Sequence, residues 1–205
     1  MTEPQRVRID YSGQKEGHLL LELYPSWAPG SCQRFLSLVD AKFLEGQRFV
    51  RAVDGFVLDW NYGPTGGSKG SDAQATLYNE LPWAKVCELD SGGAVQKCLP
   101  GTICFGQEED GTTKTEVFIN LVANSSLDGQ FIPFGRVLRD EEGPLRHWRG
   151  GGLQDLNFQY GDILFAGGAS MEKAKVRTSV LVAAGNAYID KSYPGLSWIV
   201  RCERL

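Results

Sequence analysis

An arginine stands in an otherwise apolar-rich, alternating stretch, Phe49-Val-Arg-Ala-Val-Asp-Gly-Phe-Val-Leu-Asp-Trp-Asn-Tyr62. Gly55 separates two extended halves and permits a tight reversal, so the stretch predicts a β-hairpin. An arginine held against aromatic side chains is either paired with an acid or presented to a ligand. The local acid for Arg51 is Asp59. A structural ion pair and a functional cation in an apolar groove are both open at this point.

The composition is that of an ordinary globular chain. Its 205 residues are 42% hydrophobic and 22% charged, enough for one large domain with a full core. The formal net charge is −4 and the basic residues are scattered, which argues against nucleic-acid binding. No apolar run approaches the length of a membrane span, and residues 1–6 contain no apolar signal core. We therefore expect a single domain over residues 1–205, located in the cytoplasm or the nucleus.

The remainder of the chain is rich in short strands. Alternation at Val7, Ile9 and Tyr11, followed by an extended run over 18–24, predicts an opening hairpin. Ser31 is placed to cap a helix with an apolar face. Further strands are predicted over 101–105, 116–122, 131–138, 162–165, 176–183 and 196–202, and a short helix over 145–148. Many short strands with turns between them favour a sandwich or a closed barrel.

The residue inventory argues against most catalytic chemistries. The two histidines, His18 and His147, are not near a serine or cysteine in a nucleophile setting. No acid cluster has metal spacing, and the glycine-rich run 63–71 lacks the Gly-Lys-Ser/Thr order of a phosphate-binding loop. The five cysteines are widely spaced and predict reduced, buried thiols. We expect no metal and no cofactor, and Arg51 with apolar neighbours is the best candidate site.

The order of motifs resembles that of the cyclophilin family of peptidyl-prolyl isomerases. The family's Phe-His-Arg-x-(Val/Ile)-x-Gly-Phe-x-x-Gln is similar to residues 49–59, Phe-Val-Arg-Ala-Val-Asp-Gly-Phe-Val-Leu-Asp. Its Pro-Gly-x-Leu-Ser-Met strand is similar to residues 100–105, Pro-Gly-Thr-Ile-Cys-Phe. Further similar segments are 17–24, 28–29, 35–38, 64–66, 117–119, 127–129, 134–137 and 199–205. The resemblance covers nearly the whole chain.

This resemblance implies a mainly β fold, a closed eight-stranded antiparallel barrel capped by two helices, with an apolar proline pocket on its outer face. Arg51 matches the catalytic arginine of the family. The matching pocket positions are Phe56, Val57, Phe118 and Leu127. Segments 78–99 and 139–195 exceed the usual family lengths and are interpreted as insertions.

Several pocket positions depart from the family pattern. Asp59 replaces the glutamine that orients the arginine, and Glu116 replaces a second glutamine. The other departures are Gly106 and Gln107 for an Ala-Asn edge, Ser126 for a tryptophan, and Phe131 for a pocket histidine. Asp59 would consume donors of Arg51, and Glu116 can only accept hydrogen bonds when ionised.

These substitutions leave two functional interpretations. In the first, the protein is a cyclophilin-like peptidyl-prolyl isomerase that acts on X-Pro bonds with weakened activity and binds proline-containing segments. In the second, it is a non-catalytic, cyclophilin-like interaction subunit that the insertions dock in a larger protein assembly.

Overall fold

The computed structural model describes residues 3–60, 62–63, 65–66, 90, 96–107, 115–138, 153–163 and 178–205. Within these ranges the chain forms eight β-strands and two α-helices, with 3-10 turns at Ser125–Leu127 and Leu153–Asp155. The strands are β1 Gln5–Ser12, β2 Gly17–Leu23, β3 Arg51–Ala52, β4 Val57–Trp60, β5 Thr102–Phe105, β6 Val117–Asn120, β7 Gly135–Val137 and β8 Trp198–Arg204. The helices are α1 Pro29–Asp40 and α2 Thr178–Ser192.

All eight strands lie in one antiparallel sheet, in the order β3-β4-β6-β5-β7-β2-β1-β8. The sheet curls until its ends meet at an antiparallel bridge between Arg48 and Trp198. Phe49 donates its N–H to the carbonyl of Ser197 at 3.0 Å on one side of this bridge. The predicted mainly β fold with antiparallel strands and two helices is confirmed. A closed barrel is slightly overstated, because the sheet ends meet at one bridge and not along a ladder.

The core lies inside the curl and under α1. The alternation of the opening hairpin places Val7, Ile9, Leu19 and Leu21 inside, fully buried. Phe35 of α1 packs on the aromatic core formed by two rings from the sheet side, Phe105 and Phe134. Full burial of one large apolar side chain contributes about 1.5–3 kcal/mol. This core therefore provides a rigid support for the outer face of the sheet.

Helix α1 begins earlier than predicted. Its first residue is Pro29, which suits a position where no backbone N–H is needed, and Ser31 lies inside the first turn instead of capping it. The carboxylate of Asp90 takes over the capping: it accepts from the N–H of Gly30 at 2.7 Å, and from the N–H of Ser31 at 3.2 Å and its hydroxyl at 2.6 Å. Asp90 belongs to the predicted insertion 78–99, of which the structure describes 90 and 96–99.

The strand predicted over 176–183 is wrong, because residues 178–192 are helical with one interruption at Gly185, where φ is 64°. The β-branched residues near its start favour a strand locally, and tertiary contacts override that preference. Arg48 pairs with Asp190 of this helix at 2.9 Å, and Ile189 packs on Val50. The predicted helix over 145–148 and residues 164–165 of another predicted strand lie outside the described residues. In the described part of the chain, no helix has the length and hydrophobicity to span a membrane.

Candidate functional site

The predicted hairpin forms and sets Arg51 opposite Asp59. The two residues are Cα partners in the β3–β4 ladder, so their side chains share one face. Nη1 of Arg51 donates to Oδ2 of Asp59 at 3.1 Å, and Asp59 is only 1% exposed. The Arg51 side chain is 23% exposed, and its guanidinium carbon lies over Phe56 at 5.2 Å from the ring centroid. Arg51 is therefore both ion-paired and accessible from solvent at the edge of an apolar surface.

A second carboxylate reaches Arg51 from far along the chain. Nε of Arg51 lies 3.1 Å from Oδ2 of Asp162. Residues 161–163 run antiparallel beside β3: Ala52 donates its N–H to Gly161 at 2.9 Å, and Ile163 donates to Val50 at 3.2 Å. The extended character of this segment was predictable, but its pairing with β3 was not, since nothing local specifies the partner strand.

An apolar cluster at the position of the predicted proline pocket lies beside the guanidinium, and we refer to it as the apolar pocket. The sequence-predicted residues Phe56, Val57, Phe118, Leu127 and Phe131 come together in one cluster. Phe118 and Phe131 make an edge-to-face pair with centroids 5.3 Å apart, a geometry that favours a well-defined wall. Sequence reasoning missed two members of the cluster.

These two missed residues are Cys98 and Cys104, which are fully buried and free. The thiols of Cys32 and Cys202 are also buried and free, as predicted, whereas Cys87 lies outside the described residues. Cys104 lies on β5, whose four residues are all buried, so the apolar run of that strand was the available signal for it.

Two asparagines hold the pocket in place, and sequence reasoning missed them as well. Asn124 donates to the backbone carbonyl of Phe56 at 3.1 Å and to Oδ1 of Asn120 at 2.7 Å. Asn120 in turn donates to the hydroxyl of Thr102 at 3.0 Å. This network fixes the start of β4 relative to β5 and β6, and with it the ring that lies under the guanidinium.

Tyr62 joins the two acids that replace the family's glutamines. Its hydroxyl lies 3.1 Å from Oδ2 of Asp59 and 2.8 Å from Oε1 of Glu116. Gly106 is needed here because a Cβ at that position would lie 2.6 Å from Cδ of Glu116. The half-buried Gln107 follows at the end of the described strand segment. A tyrosine three residues after the acid was not singled out from the sequence, since the hairpin pattern ends before it.

The electrostatics of this group are unusual. Burial, followed by the negative charge of Glu116, raises the pKa of Asp59 from 3.8 to about 8. Burial and the two neighbouring acids, Asp59 first, raise the pKa of Tyr62 well above its ordinary value. Burial lowers the pKa of Arg51, but the carboxylates of Asp59 and Asp162 outweigh it and the net direction is upward. The guanidinium is therefore a permanent cation at any physiological pH.

A family model described as cyclophilin type peptidyl-prolyl cis-trans isomerase/CLD matches residues 6–144. The chain belongs to the cyclophilin family. The matched range contains Arg51, the apolar pocket and both Asp59 and Glu116, whereas Asp162 and α2 lie beyond it.

Proteins named as peptidyl-prolyl isomerases or as isomerase-like are similar to more than half of this chain. Peptidyl-prolyl cis-trans isomerase ppi1 of Schizosaccharomyces pombe is 29% identical over 123 residues, 60% of this chain and 73% of that protein. Peptidyl-prolyl cis-trans isomerase-like 1 of Homo sapiens is 27% identical over 135 residues, 66% of this chain and 74% of that protein. A crystal structure of a cyclophilin type isomerase from Cryptosporidium parvum aligns with a TM-score of 0.47 and 22% identity, covering 69% of this chain and 80% of that one.

Within the described residues, no group of three or more His, Cys, Asp or Glu side chains is arranged to hold a metal ion. The chemistry available to the site is that of a cation, two hydrogen-bonding acids and an apolar pocket. Such a set can bind a peptide and stabilise charge, but it contains no activated nucleophile.

Proposed function

We propose that this cyclophilin is a peptidyl-prolyl cis-trans isomerase that acts on X-Pro bonds with weakened activity. The observation that carries the proposal is the position of Arg51, whose accessible guanidinium lies over Phe56 at the rim of an apolar pocket. The pocket residues are apolar and include two aromatic walls, Phe118 and Phe131, which suits a proline ring. In the proposed complex the guanidinium of Arg51 acts on the imide nitrogen of that proline.

Such a site needs no nucleophile. Rotation about an X-Pro bond is opposed by amide resonance, with a barrier of about 18–20 kcal/mol. In the twisted transition state the prolyl nitrogen regains a lone pair, which a guanidinium N–H can stabilise by a hydrogen bond. Phe118 and Leu127 hold the ring while the preceding carbonyl turns. The enzyme thereby binds the twisted bond better than either planar form.

Two contacts weaken this action. Nη1 of Arg51 already donates to Asp59, so this donor must be shared with a substrate, and the carboxylate of Asp162, 3.1 Å from Nε, offsets the positive charge of the guanidinium. Glu116 accepts a hydrogen bond from Tyr62, and as a carboxylate it has no donor to offer a substrate carbonyl. We expect a rate below that of a cyclophilin with glutamines at both positions.

Exchange spectroscopy by NMR on a short Ala-Pro peptide tests the proposal, because it detects slow cis–trans exchange without a coupling protease. Acceleration by the wild type, with at least a tenfold loss in Arg51→Ala, supports it. Arg136→Ala is the matched control, since Arg136 is a half-exposed arginine on β7, outside the pocket. If neither the wild type nor the control accelerates exchange, the site is not an isomerase.

The alternative is a non-catalytic interaction subunit. The observation that favours it is the segment 161–163, which lies beyond the family match and occupies the edge of β3 next to Arg51. In that case the pocket would bind a proline-containing segment without turning its imide bond. Peptide binding that shifts pocket resonances with no gain in exchange rate, together with a stoichiometric partner lost on shortening 139–195, would favour this function.

A further inference from the structure

Three carboxylates gather around the single guanidinium of Arg51. Asp59 and Asp162 contact it directly, and Glu116 is linked to Asp59 through the hydroxyl of Tyr62. Asp59 is the most deeply buried of the three, with a side chain that is 1% exposed, and the carboxyl of Glu116 lies close to it across the tyrosine oxygen. Burial and a neighbouring like charge both disfavour the ionised form of a carboxyl group, so Asp59 has a tendency to hold a proton.

The hydrogen-bond count at Tyr62 shows where that proton is held. A tyrosine hydroxyl has one hydrogen to donate, yet its oxygen lies within hydrogen-bond distance of two carboxylate oxygens. The shorter contact, 2.8 Å, is to Glu116 and takes the hydroxyl hydrogen. The 3.1 Å contact to Asp59 is then attractive only if Asp59 supplies a hydrogen to the tyrosine oxygen.

The second carboxyl oxygen of Asp59 also indicates that this side chain is neutral. Oδ1 is buried and accepts no hydrogen bond from the described residues. An ionised carboxylate spreads its charge over both oxygens and needs donors at each, whereas a neutral acid leaves one carbonyl oxygen with a smaller demand. The surroundings of Asp59 thus fit a neutral carboxyl better than an anion.

We propose that Tyr62 and Glu116 are positioning residues that hold Asp59 as a neutral, protonated acid, so that Asp59 orients Arg51 without neutralising it. In this arrangement Asp59 donates to Tyr62, Tyr62 donates to Glu116, and Nη1 of Arg51 donates to Asp59. A neutral acid then does for the arginine what an uncharged glutamine does. Asp162, on the opposite side of the guanidinium and 15% exposed, is its ionic partner.

The electrostatics support this assignment. Burial and the charge of Glu116 raise the pKa of Asp59 to about 8, against the opposing charge of Arg51. A hydroxyl of Tyr62 that donated to Asp59 would lower this pKa, whereas in the proposed arrangement the tyrosine oxygen accepts from Asp59. Around Asp59 the described ionisable groups are Arg51 on β3, Tyr62 after β4 and Glu116 before β6, with Asp162 behind the guanidinium. The proposal rests on the proposed isomerase function for its catalytic meaning, but the protonation state can be measured without it.

The direct test is an NMR titration of the full chain labelled with 13C at the aspartate carboxyl carbons. The Asp59 resonance is identified by its loss in Asp59→Asn. We expect its midpoint several units above the value near 3.9 of an unperturbed aspartate. A midpoint at or below about 5 overturns the proposal, whatever the isomerase activity, because unperturbed carboxyls titrate below that pH.

Two variants identify which neighbours raise the titration midpoint of Asp59. Glu116→Gln removes the like charge and is expected to lower the midpoint by about one unit or more. Tyr62 makes two hydrogen bonds when Asp59 is neutral and only one when Asp59 is ionised. Tyr62→Phe therefore destabilises the neutral state more, and it is also expected to lower the midpoint of Asp59. A rise in Tyr62→Phe would mean that the tyrosine donates to an ionised Asp59, and it would overturn the proposal. Asp54→Asn is the matched control, an exposed acid in the turn of the same hairpin, and is expected to leave the midpoint within a few tenths of a unit.

Measurement of isomerase activity against pH distinguishes a failure of this inference from a failure of the proposed function. If the isomerase is active, kcat/KM falls above the Asp59 midpoint in the wild type, and this alkaline fall disappears in Asp59→Asn. If no exchange is catalysed at any pH, the proposed function fails while the carboxyl titration still decides the protonation state. A flat wild-type pH profile together with a high midpoint would show that the neutral acid has no role in positioning Arg51.

Discussion

Arg51 and Asp162 meet twice: their backbones form an antiparallel bridge, and Nε of Arg51 lies 3.1 Å from Oδ2 of Asp162. The two contacts depend on one another, because the backbone pairing of 161–163 with β3 sets the carboxylate beside the guanidinium. A partly exposed ion pair of this kind contributes about 1 kcal/mol or less. Its carboxylate nevertheless offsets the positive charge of the guanidinium that would act on a substrate.

We therefore predict that Asp162→Asn increases the rate of prolyl isomerisation. The change removes the negative charge that offsets the guanidinium beside Nε and keeps the shape of the side chain. About 1 kcal/mol corresponds to a gain of about fivefold in kcat/KM. The gain is measured by NMR exchange on an Ala-Pro peptide.

Asp155→Asn is the control for this prediction, because Asp155 lies in the same C-terminal stretch but pairs with Lys15 at 2.7 Å, away from Arg51. It is expected to leave the rate unchanged. A decrease in Asp162→Asn would contradict the prediction and would mean that Asp162 orients the arginine for catalysis.

The raised pKa of Asp59 predicts that stability falls as the pH rises. Because its pKa is about 8 in the folded protein and near 3.8 otherwise, the folded state binds this proton more tightly. The stabilisation is complete below the lower value and is lost as the pH rises through the higher one. Between pH 6 and pH 8.5 the loss is on the order of 2 kcal/mol.

Urea unfolding of the wild type and Asp59→Asn at both pH values measures this loss. Groups remote from Asp59 titrate alike in the two proteins, so the difference between them isolates Asp59 and the neighbours coupled to it, Tyr62 and Glu116. The wild type should lose stability relative to Asp59→Asn on going to pH 8.5. A constant difference would mean that Asp59 is ionised throughout.

We expect Asp90, which lies outside helix α1, to stabilise the folded protein by capping that helix. Its buried carboxylate accepts hydrogen bonds from the first turn of α1, at the positive end of the helix dipole. Asp90→Ala is expected to reduce the free energy of unfolding by about 1–2 kcal/mol, as for other helix caps. Urea unfolding provides the measurement.

The control sits at the other end of the same helix. Asp40→Ala removes an exposed carboxylate that pairs with Arg204, and such surface pairs contribute little. Equal losses in the two variants would show that the cap at Asp90 has no special role.

We expect a side chain at position 106 to disturb the hydrogen bond between Tyr62 and Glu116. Alanine there would place a Cβ 2.6 Å from Cδ of Glu116 and push this flexible side chain off the tyrosine hydroxyl. Loss of a hydrogen bond to a charged group destabilises by about 1.5–3 kcal/mol. We expect Gly106→Ala to be destabilising in the wild type.

A double-mutant cycle identifies the cause. Gly106→Ala should be less destabilising when combined with Tyr62→Phe, where the hydrogen bond is already absent. Additive losses would place the effect of the alanine elsewhere in the backbone.

Much of the site could be read from local pattern. The alternation around Arg51 and the glycine at 55, whose φ is 76°, predict the hairpin that sets Asp59 opposite the arginine. The resemblance to the cyclophilin family then identified the pocket residues that the structure brings together. Tyr62 is among the residues that escaped prediction, since its role depends on the approach of Glu116 from another part of the chain.

Local prediction failed wherever a distant segment supplied the decisive contact. Ser31 has the chemistry of a helix cap, but Asp90 performs the capping because its carboxylate reaches both N–H groups of the first turn. Residues 178–183 include a β-branched run, yet they are helical in a helix held by contacts such as Arg48 with Asp190.

The sequence alone is sufficient for the antiparallel hairpins and for an arginine among apolar side chains, because strand period and turn chemistry act over a few residues. The pocket residues, which come from distant parts of the chain, were implied by the resemblance to the cyclophilin family. The charge state of that arginine's surroundings was decided only by tertiary structure. Asp162, Glu116 and Tyr62 come from separate parts of the chain, and their effect depends on distances of about 3 Å and on burial, which exist only after the sheet has curled.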